Sequence, residues 1–124
     1  MQALILAAGR GSRLGPLGAG PKCLLEIGRR PIVEHQLETL ARCGIGPACL
    51  VVGYGADEVR ERVGIRAEYV TNPRWSATNS LYSYWLARDW VTDDVIVLNC
   101  DVLFAPQLVE RLLDVPGDAL AYDS

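Results

Sequence analysis

Three short, unbroken apolar runs constrain this chain most: Gln2-Ala3-Leu4-Ile5-Leu6-Ala7, residues 48–52, and residues 94–98, each halted by glycine or polar residues. Runs of this length without alternation fit strands buried on both faces of a parallel sheet. Between them the spacing turns helical. Pro31 opens a segment in which Val33, Leu37, Leu40 and Ala41 recur before Gly44 closes it, predicting a helix over 31–43. Gly53-Tyr54-Gly55 leads to Asp57, a candidate N-cap for a short helix through Val63, and residues 66–70 can form another strand. After the break at Asn72-Pro73, Thr78 or Asn79 can cap a helix running to Trp90. Pro106 starts a last helix through Leu113, Pro116-Gly117 makes a turn, and residues 119–122 form a final strand. Strands alternating with helices predict a doubly wound, mostly parallel α/β sheet, which binds ligands outside the carboxyl ends of its strands.

With 124 residues, half of them hydrophobic and 22% charged, the chain suits one globular domain spanning 1–124. A net charge of -3 argues against sequence-independent nucleic-acid binding, which needs a basic surface. No apolar run approaches the roughly 20 residues of a membrane span, and residues 1–8 lack the basic start and length of a signal peptide, so a cytoplasmic protein without membrane contact is expected. Cys23, Cys43, Cys49 and Cys100 show no CxxC pairing and read as reduced, structural thiols with neither zinc nor disulfide. The single histidine, His35, has no metal-ligand spacing around it and suits an exposed or packing role. Glu34, Glu38 and the charges between Asp57 and Arg62 read as solvated helix faces.

Two polar sites fall at strand ends. From Gly9 to Pro21 there are five glycines and two prolines, too many for a helix or strand, so this is a long shaped loop of the functional kind. Gly9 and Gly11 let backbone N–H groups approach a phosphate, and Arg13 and Lys22 supply positive charge. The dinucleotide pattern G-x-G-x-x-G fails because Leu14 stands at its last position, and the P-loop pattern fails because Lys22 is followed by Cys23. On residue chemistry alone, a glycine-rich connector with solvated basic groups remains an alternative. The second site is Asn99-Cys100-Asp101, where a strand-end carboxylate can hold Mg²⁺ against a phosphate or simply cap the following turn.

The string Leu6-Ala7-Ala8-Gly9-x-Gly11-Ser12-Arg13-Leu14, followed by Pro21-Lys22, resembles the signature of the sugar-nucleotide and MobA-like nucleotidyltransferases. That resemblance implies a Rossmann-like three-layer α/β/α sandwich, the nucleotide-diphospho-sugar transferase fold. It also implies an NTP wrapped by Leu6, Ala7, Ala8, Gly9, Gly11, Ser12, Arg13 and Lys22, with Arg13, Lys22 and Asp101 as the catalytic set and Asp101 ligating Mg²⁺. Residues 72–87, Asn72-Pro73-Arg74-Trp75 through Thr78-Asn79-Ser80 to Ala87, are similar to a stretch of phosphocholine cytidylyltransferase-like proteins. The similarity implies base or ribose contacts for Thr78, Asn79 and Ser80, whereas the residues themselves equally suit a helix cap followed by packing of Tyr82, Trp85 and Leu86. Trp75 reads as a surface residue covering the loop.

The implied reaction moves a nucleoside monophosphate, CMP favoured, from an NTP to a phosphorylated small-molecule acceptor resembling phosphocholine, a phosphonate or a sugar phosphate, with release of pyrophosphate. An acceptor oxygen that is already anionic needs no general base. The resemblance covers the N-terminal part of the family's catalytic domain, so a truncated domain is expected, with the second metal carboxylate and acceptor-binding strands further on. Two rivals stand beside this reading: a non-catalytic nucleotide-binding module completed by a downstream part or partner chain, homo-oligomers included, and a sugar-phosphate or molybdenum-cofactor nucleotidyltransferase.

Overall fold

The computed structural model describes residues 1–9, 20–100, 102–114 and 117. In chain order the elements are β1 (Gln2–Ala7), a hairpin of β2 (Glu26–Ile27) and β3 (Arg30–Pro31), α1 (Ile32–Arg42), β4 (Ala48–Val52), α2 (Ala56–Val63), β5 (Glu68–Thr71), α3 (Ser80–Leu86), β6 (Val95–Asn99) and α4 (Pro106–Leu113). Four strands make the main sheet in the order β5-β4-β1-β6. All three neighbouring pairs are parallel, with Leu4 of β1 opposite Cys49 of β4 and Val97 of β6. The expected α/β class and its central parallel strands are therefore present.

Period-two geometry divides each strand between two cores. Ala3, Ile5 and Ala7 of β1 and Leu50 and Val52 of β4 face Val33 and Leu40 of α1, Val59 and Val63 of α2, and Val109 of α4. Leu4, Cys49 and Val51 face the other way, against Ala87, Trp90 and Val70. Burial on both sides explains why β1 reads as an unbroken apolar run. Leu4 and Ile5 are each wholly buried, a contribution of about 1.5–3 kcal/mol apiece. Helix α1 begins after Pro31, whose φ of -55° suits a helix start, and it gives way to Gly44 at φ +72°.

Several local features depart from expectation. The helix after Asn79 stops at Leu86 instead of reaching Trp90, because residues 87–90 form turns that carry Trp90 onto the sheet, where its indole N–H donates to Glu68 at 2.9 Å. The strand expected from residue 66 starts at Glu68, since Gly64–Arg66 is a 3₁₀ turn. Its guanidinium explains the delay: Arg66 donates to the carbonyls of Val63 and Arg62 and to Glu34. Glu34 is consequently no solvated face residue. Its side chain is 13% exposed and lies within salt-bridge distance of Arg30, Arg62 and Arg66, tying α1 to α2. The hydrogen bond from Arg66 holds the Glu34 carboxyl below its ordinary range. Hairpin β2–β3 was unexpected; two-residue strands carry no periodicity, and Gly28 and Arg29, both at positive φ, make the tight connection. The strand expected over 119–122 lies outside the described residues.

Candidate functional site

The strand order creates the site. From β1 the chain moves outward to β4 and β5 on one side, then returns across the sheet to β6 on the other. The strand order thus turns back between β1 and β6, and the carboxyl ends of strands at such a switch point are where open α/β sheets bind ligands. A cavity of about 270 Å³ occupies this position, lined by Leu6, Gly9, Lys22, Ser80, Asn99 and Cys100.

Four of the expected site residues, Leu6, Gly9, Lys22 and Ser80, thus meet in one cleft although they come from three separate segments. Ala7 is wholly buried in β1, and Ala8 just beyond it turns its carbonyl to the Tyr54 N–H at 3.1 Å. Gly11, Ser12, Arg13 and Asp101 lie outside the described residues. Lys22 is delivered by the 3₁₀ turn Lys22–Leu24, which packs against α1. Asn99 and Cys100 were not singled out as lining residues; their place immediately before Asp101, at the end of an apolar run, was the available signal.

Thr78 and Asn79 are committed to local structure. The Asn79 side chain accepts the Tyr82 N–H at 3.2 Å and so caps α3. The Thr78 hydroxyl donates to the Arg74 carbonyl at 2.7 Å and accepts from Asn72 at 3.0 Å. Asn72 is the hub that sequence reasoning missed. Buried to 1% exposure, it also donates to Ser83 and accepts the Arg74 N–H, folding residues 72–79 so that Ser80 reaches the cleft. Hydrogen bonds to residues two, six and eleven positions away leave no local pattern beyond the Asn-Pro break.

Two glycines shape the cleft from the β4 side. At Gly55 φ is +65°, and a Cβ there would stand 2.2 Å from Cγ of Pro21, the residue before Lys22. At Gly53 a Cβ would meet Cβ of Trp75 at 2.6 Å and the Ala8 carbonyl oxygen at 3.0 Å. The turn after β4 can therefore lie against both ends of the loop after β1 only because these positions lack side chains. Trp75 covers this turn, its ring edge-on to Tyr54 with centroids 5.0 Å apart. His35 stands apart from the cleft lining: its Nε2–H donates to the Ile27 carbonyl at 2.7 Å and pins the hairpin to α1. Cys23, Cys49 and Cys100 are buried, and burial pushes the Cys23 and Cys49 thiols up to about 12.

Among the described residues no three His, Cys, Asp or Glu side chains converge as a metal cage.

Residues 3–123 match the family model described as the MobA-like NTP transferase domain. The chain belongs to this family. It is 43% identical over 122 residues to the CMP-5'-(3-aminopropyl)phosphonate synthase of Streptomyces rubellomurinus, covering 94% of this chain and 19% of that protein. It is 33% identical over 108 residues to the choline-phosphate cytidylyltransferase of Streptococcus pneumoniae, covering 84% of this chain and 46% of the relative. The solved CTP:phosphocholine cytidylyltransferase from Streptococcus pneumoniae superposes with a TM-score of 0.70 at 31% identity, over 86% of this chain and 49% of the other. The chain thus spans about half the length of these relatives, or less. The MobA-like fold, Rossmann-like with a mostly parallel sheet, agrees with the architecture built above. No helix among the described residues is long and apolar enough to cross a membrane.

Proposed function

We propose that this MobA-like domain binds an NTP, CTP in particular, in the cleft between β1 and β6 and serves the transfer of its nucleoside monophosphate to a phosphorylated small-molecule acceptor. The observation that carries this reading is the convergence of Leu6, Gly9, Lys22 and Ser80 with the end of β6 at the sheet's switch point. The cytidylyl preference is supported by the activities named for the two relatives, a CMP-phosphonate synthase and a choline-phosphate cytidylyltransferase. Backbone at Gly9 and Gly11 and the charges of Arg13 and Lys22 hold the triphosphate. Thr78 and Asn79 bear on the base through the segment they fold, and Ser80 contacts the nucleotide directly.

In the transfer, an anionic acceptor oxygen bonds to the α-phosphorus as the bond to the β-phosphate oxygen breaks, and pyrophosphate departs with its electron pair. Lys22 and Arg13 hold the phosphates in line and offset charge that develops on the leaving group. Bound Mg²⁺, with Asp101 as its protein ligand, supplies further charge neutralisation on the phosphate oxygens. No proton needs removing from the acceptor, so the site requires no histidine.

Calorimetric titration with CTP tests the binding site. Lys22→Ala is expected to weaken binding by roughly tenfold to a hundredfold, the worth of a charge-assisted phosphate contact, while the melting temperature stays near that of the parent. An unchanged affinity would refute the assignment. A thermal-shift panel of CTP, UTP, GTP, ATP and dTTP reads the base preference. Pyrophosphate release with CTP, Mg²⁺ and phosphocholine separates transfer from its rival. The span of about half the relatives' length favours testing that rival directly: CTP binding without pyrophosphate marks a nucleotide-binding segment that needs further protein for turnover.

A further inference from the structure

We infer that Trp75 is a positioning residue for phosphate binding: its indole seats the turn after β4 against both flanks of the glycine-rich loop and so sets how Gly9 and Lys22 stand in the cleft. This rests on the NTP reading of that cleft. The turn Gly53-Tyr54-Gly55 joins β4 to α2 and is anchored at both ends. Residues 49–52 of β4 are buried, and α2 docks through buried Val59 and Val63. The Ala56 N–H donates to the Gly53 carbonyl and the Val59 N–H to the Gly55 carbonyl, each at 3.1 Å. From this base the turn meets the loop's flanks twice. The Tyr54 N–H donates to the carbonyl of Ala8, the neighbour of Gly9, at 3.1 Å. Gly55 lies so close to buried Pro21, the neighbour of Lys22, that a Cβ would stand 2.2 Å from the proline Cγ. Gly9 and Lys22 both line the cleft, so one short turn fixes the residue beside each of them.

Trp75 reaches this turn from the segment after β5. The space beside Gly53 is closed by Trp75 and Ala8 together: a Cβ there would stand 2.6 Å from the Trp75 Cβ and 3.0 Å from its Cγ and from the Ala8 carbonyl oxygen. The ring also meets Tyr54 edge-on, with centroids 5.0 Å apart and planes at 61°. An edge-on aromatic pair is worth roughly twofold to tenfold in an equilibrium, here the one between a turn pressed onto Ala8 and a turn lifted away. Core packing does not explain the residue, because among the described residues half-buried Trp75 joins neither hydrophobic core. Nor does its backbone depend on the ring. The Arg74 N–H donates to the Asn72 side chain at 2.9 Å, the Ala77 N–H to the Arg74 carbonyl at 3.0 Å, and the Asn72 N–H to the Val52 carbonyl at 2.7 Å. The indole is thus separable from the segment that leads to Ser80, and its contacts fall on the turn. Charge-assisted phosphate contacts hold only near about 2.7–2.9 Å, so a turn free to lift from Ala8 and Pro21 leaves Gly9 and Lys22 to be ordered at the moment of binding, at a loss of affinity.

Calorimetric titration with CTP and with inorganic tripolyphosphate tests this, for the parent chain and for Trp75→Ala, Trp75→Leu and Trp75→Phe, each also made in a Lys22→Ala background. The Ala and Leu variants should bind both ligands roughly tenfold more weakly, and Trp75→Phe, which keeps a ring against Tyr54, should restore most of that loss. In the Lys22→Ala background the same changes should cost only about twofold, because one of the two residues through which Trp75 acts is gone. If the losses fall on CTP alone, the inference is overturned, since Trp75 would then meet the base or sugar itself. It is overturned equally by parent-like affinity in the Ala and Leu variants, by a Phe variant no better than Ala, or by an undiminished loss beside Lys22→Ala. In each of these cases weaker CTP binding by Lys22→Ala alone leaves the NTP site standing. Failure of both the Ala and Leu variants to fold by circular dichroism also overturns it, because Trp75 would then be a determinant of the fold. If the parent binds neither ligand, or Lys22→Ala leaves CTP affinity unchanged, the NTP reading fails and takes the inference with it.

Discussion

Replacing Asn72 by alanine should cost about 2–4 kcal/mol of stability and displace Ser80 from the cleft. The side chain makes three hydrogen bonds: to Thr78 Oγ1 at 3.0 Å, to Ser83 Oγ at 3.1 Å, and from the Arg74 N–H at 2.9 Å. Each is worth about 0.5–1.5 kcal/mol net, and a buried partner left without a bond adds to the loss. The partners differ in how well they recover. Thr78 keeps its bond to the Arg74 carbonyl, whereas Ser83 is 3% exposed and has little access to water. The backbone N–H of Asn72 still donates to Val52, so the strand end itself is retained. Urea denaturation should show a lower midpoint with an unchanged slope, and the melting temperature should fall by roughly 10 °C. A double-mutant cycle with Ser83→Ala sharpens the assignment, because the pair should couple by about 1 kcal/mol. A loss below about 1 kcal/mol, or no coupling to Ser83, would refute the view of Asn72 as the hub of this segment.

Two further outcomes follow from the same structure. Gly53→Ala forces a Cβ to within 2.6 Å of Trp75 Cβ and 3.0 Å of the Ala8 carbonyl; overpacking against these should destabilise by about 1–3 kcal/mol in urea and weaken CTP binding by shifting the exit from β1. The Cys23 and Cys49 thiols, raised by burial from 9.0 to about 12, favour the folded state fully below pH 9 and lose that contribution as pH climbs from 9 towards 12. Each should cost about 1 kcal/mol by pH 10, so the urea midpoint should drop between pH 8.5 and 10 and drop less in Cys49→Ala.

What could be read from the chain depended on whether the partners of a residue were near in sequence. Strands β1 and β4 were legible because burial on two faces demands apolar residues at every position, β6 because it carries the same kind of apolar run although it is only partly buried, and α1 because Pro31 and Gly44 mark its ends locally. Gly9 and Lys22, which line the cleft, were picked out by near neighbours in sequence, the glycine- and proline-rich stretch from Gly9 to Pro21. Glu34 was misread as solvated because two of its three arginines, Arg62 and Arg66, are supplied by α2 and the following turn, far along the chain. The end of α3 was misread because Trp90 answers to Glu68 and the sheet, and tertiary contact overrode a continuing helical pattern. Thr78 and Asn79 are residue types shared by caps and polar ligand sites, so their capping bonds became visible only in three dimensions.

The cleft is supported by residues that need not touch a nucleotide. Groups from elsewhere hold its surroundings: Gly53 and Gly55 admit the turn against Ala8 and Pro21, Asn72 folds the segment leading to Ser80, and Gln36 donates to the Asn99 and Val102 carbonyls. These supports differ in what their loss exposes. Removing Asn72 strands a buried hydroxyl, and adding a Cβ at Gly53 collides with packed atoms, so both perturb stability and nucleotide affinity together. Gln36→Met exchanges an amide that already leaves one oxygen unpaired for a chain of similar volume, so part of the cost of the two stranded carbonyls is offset by better packing. Its effect on stability should accordingly be the smallest of the three.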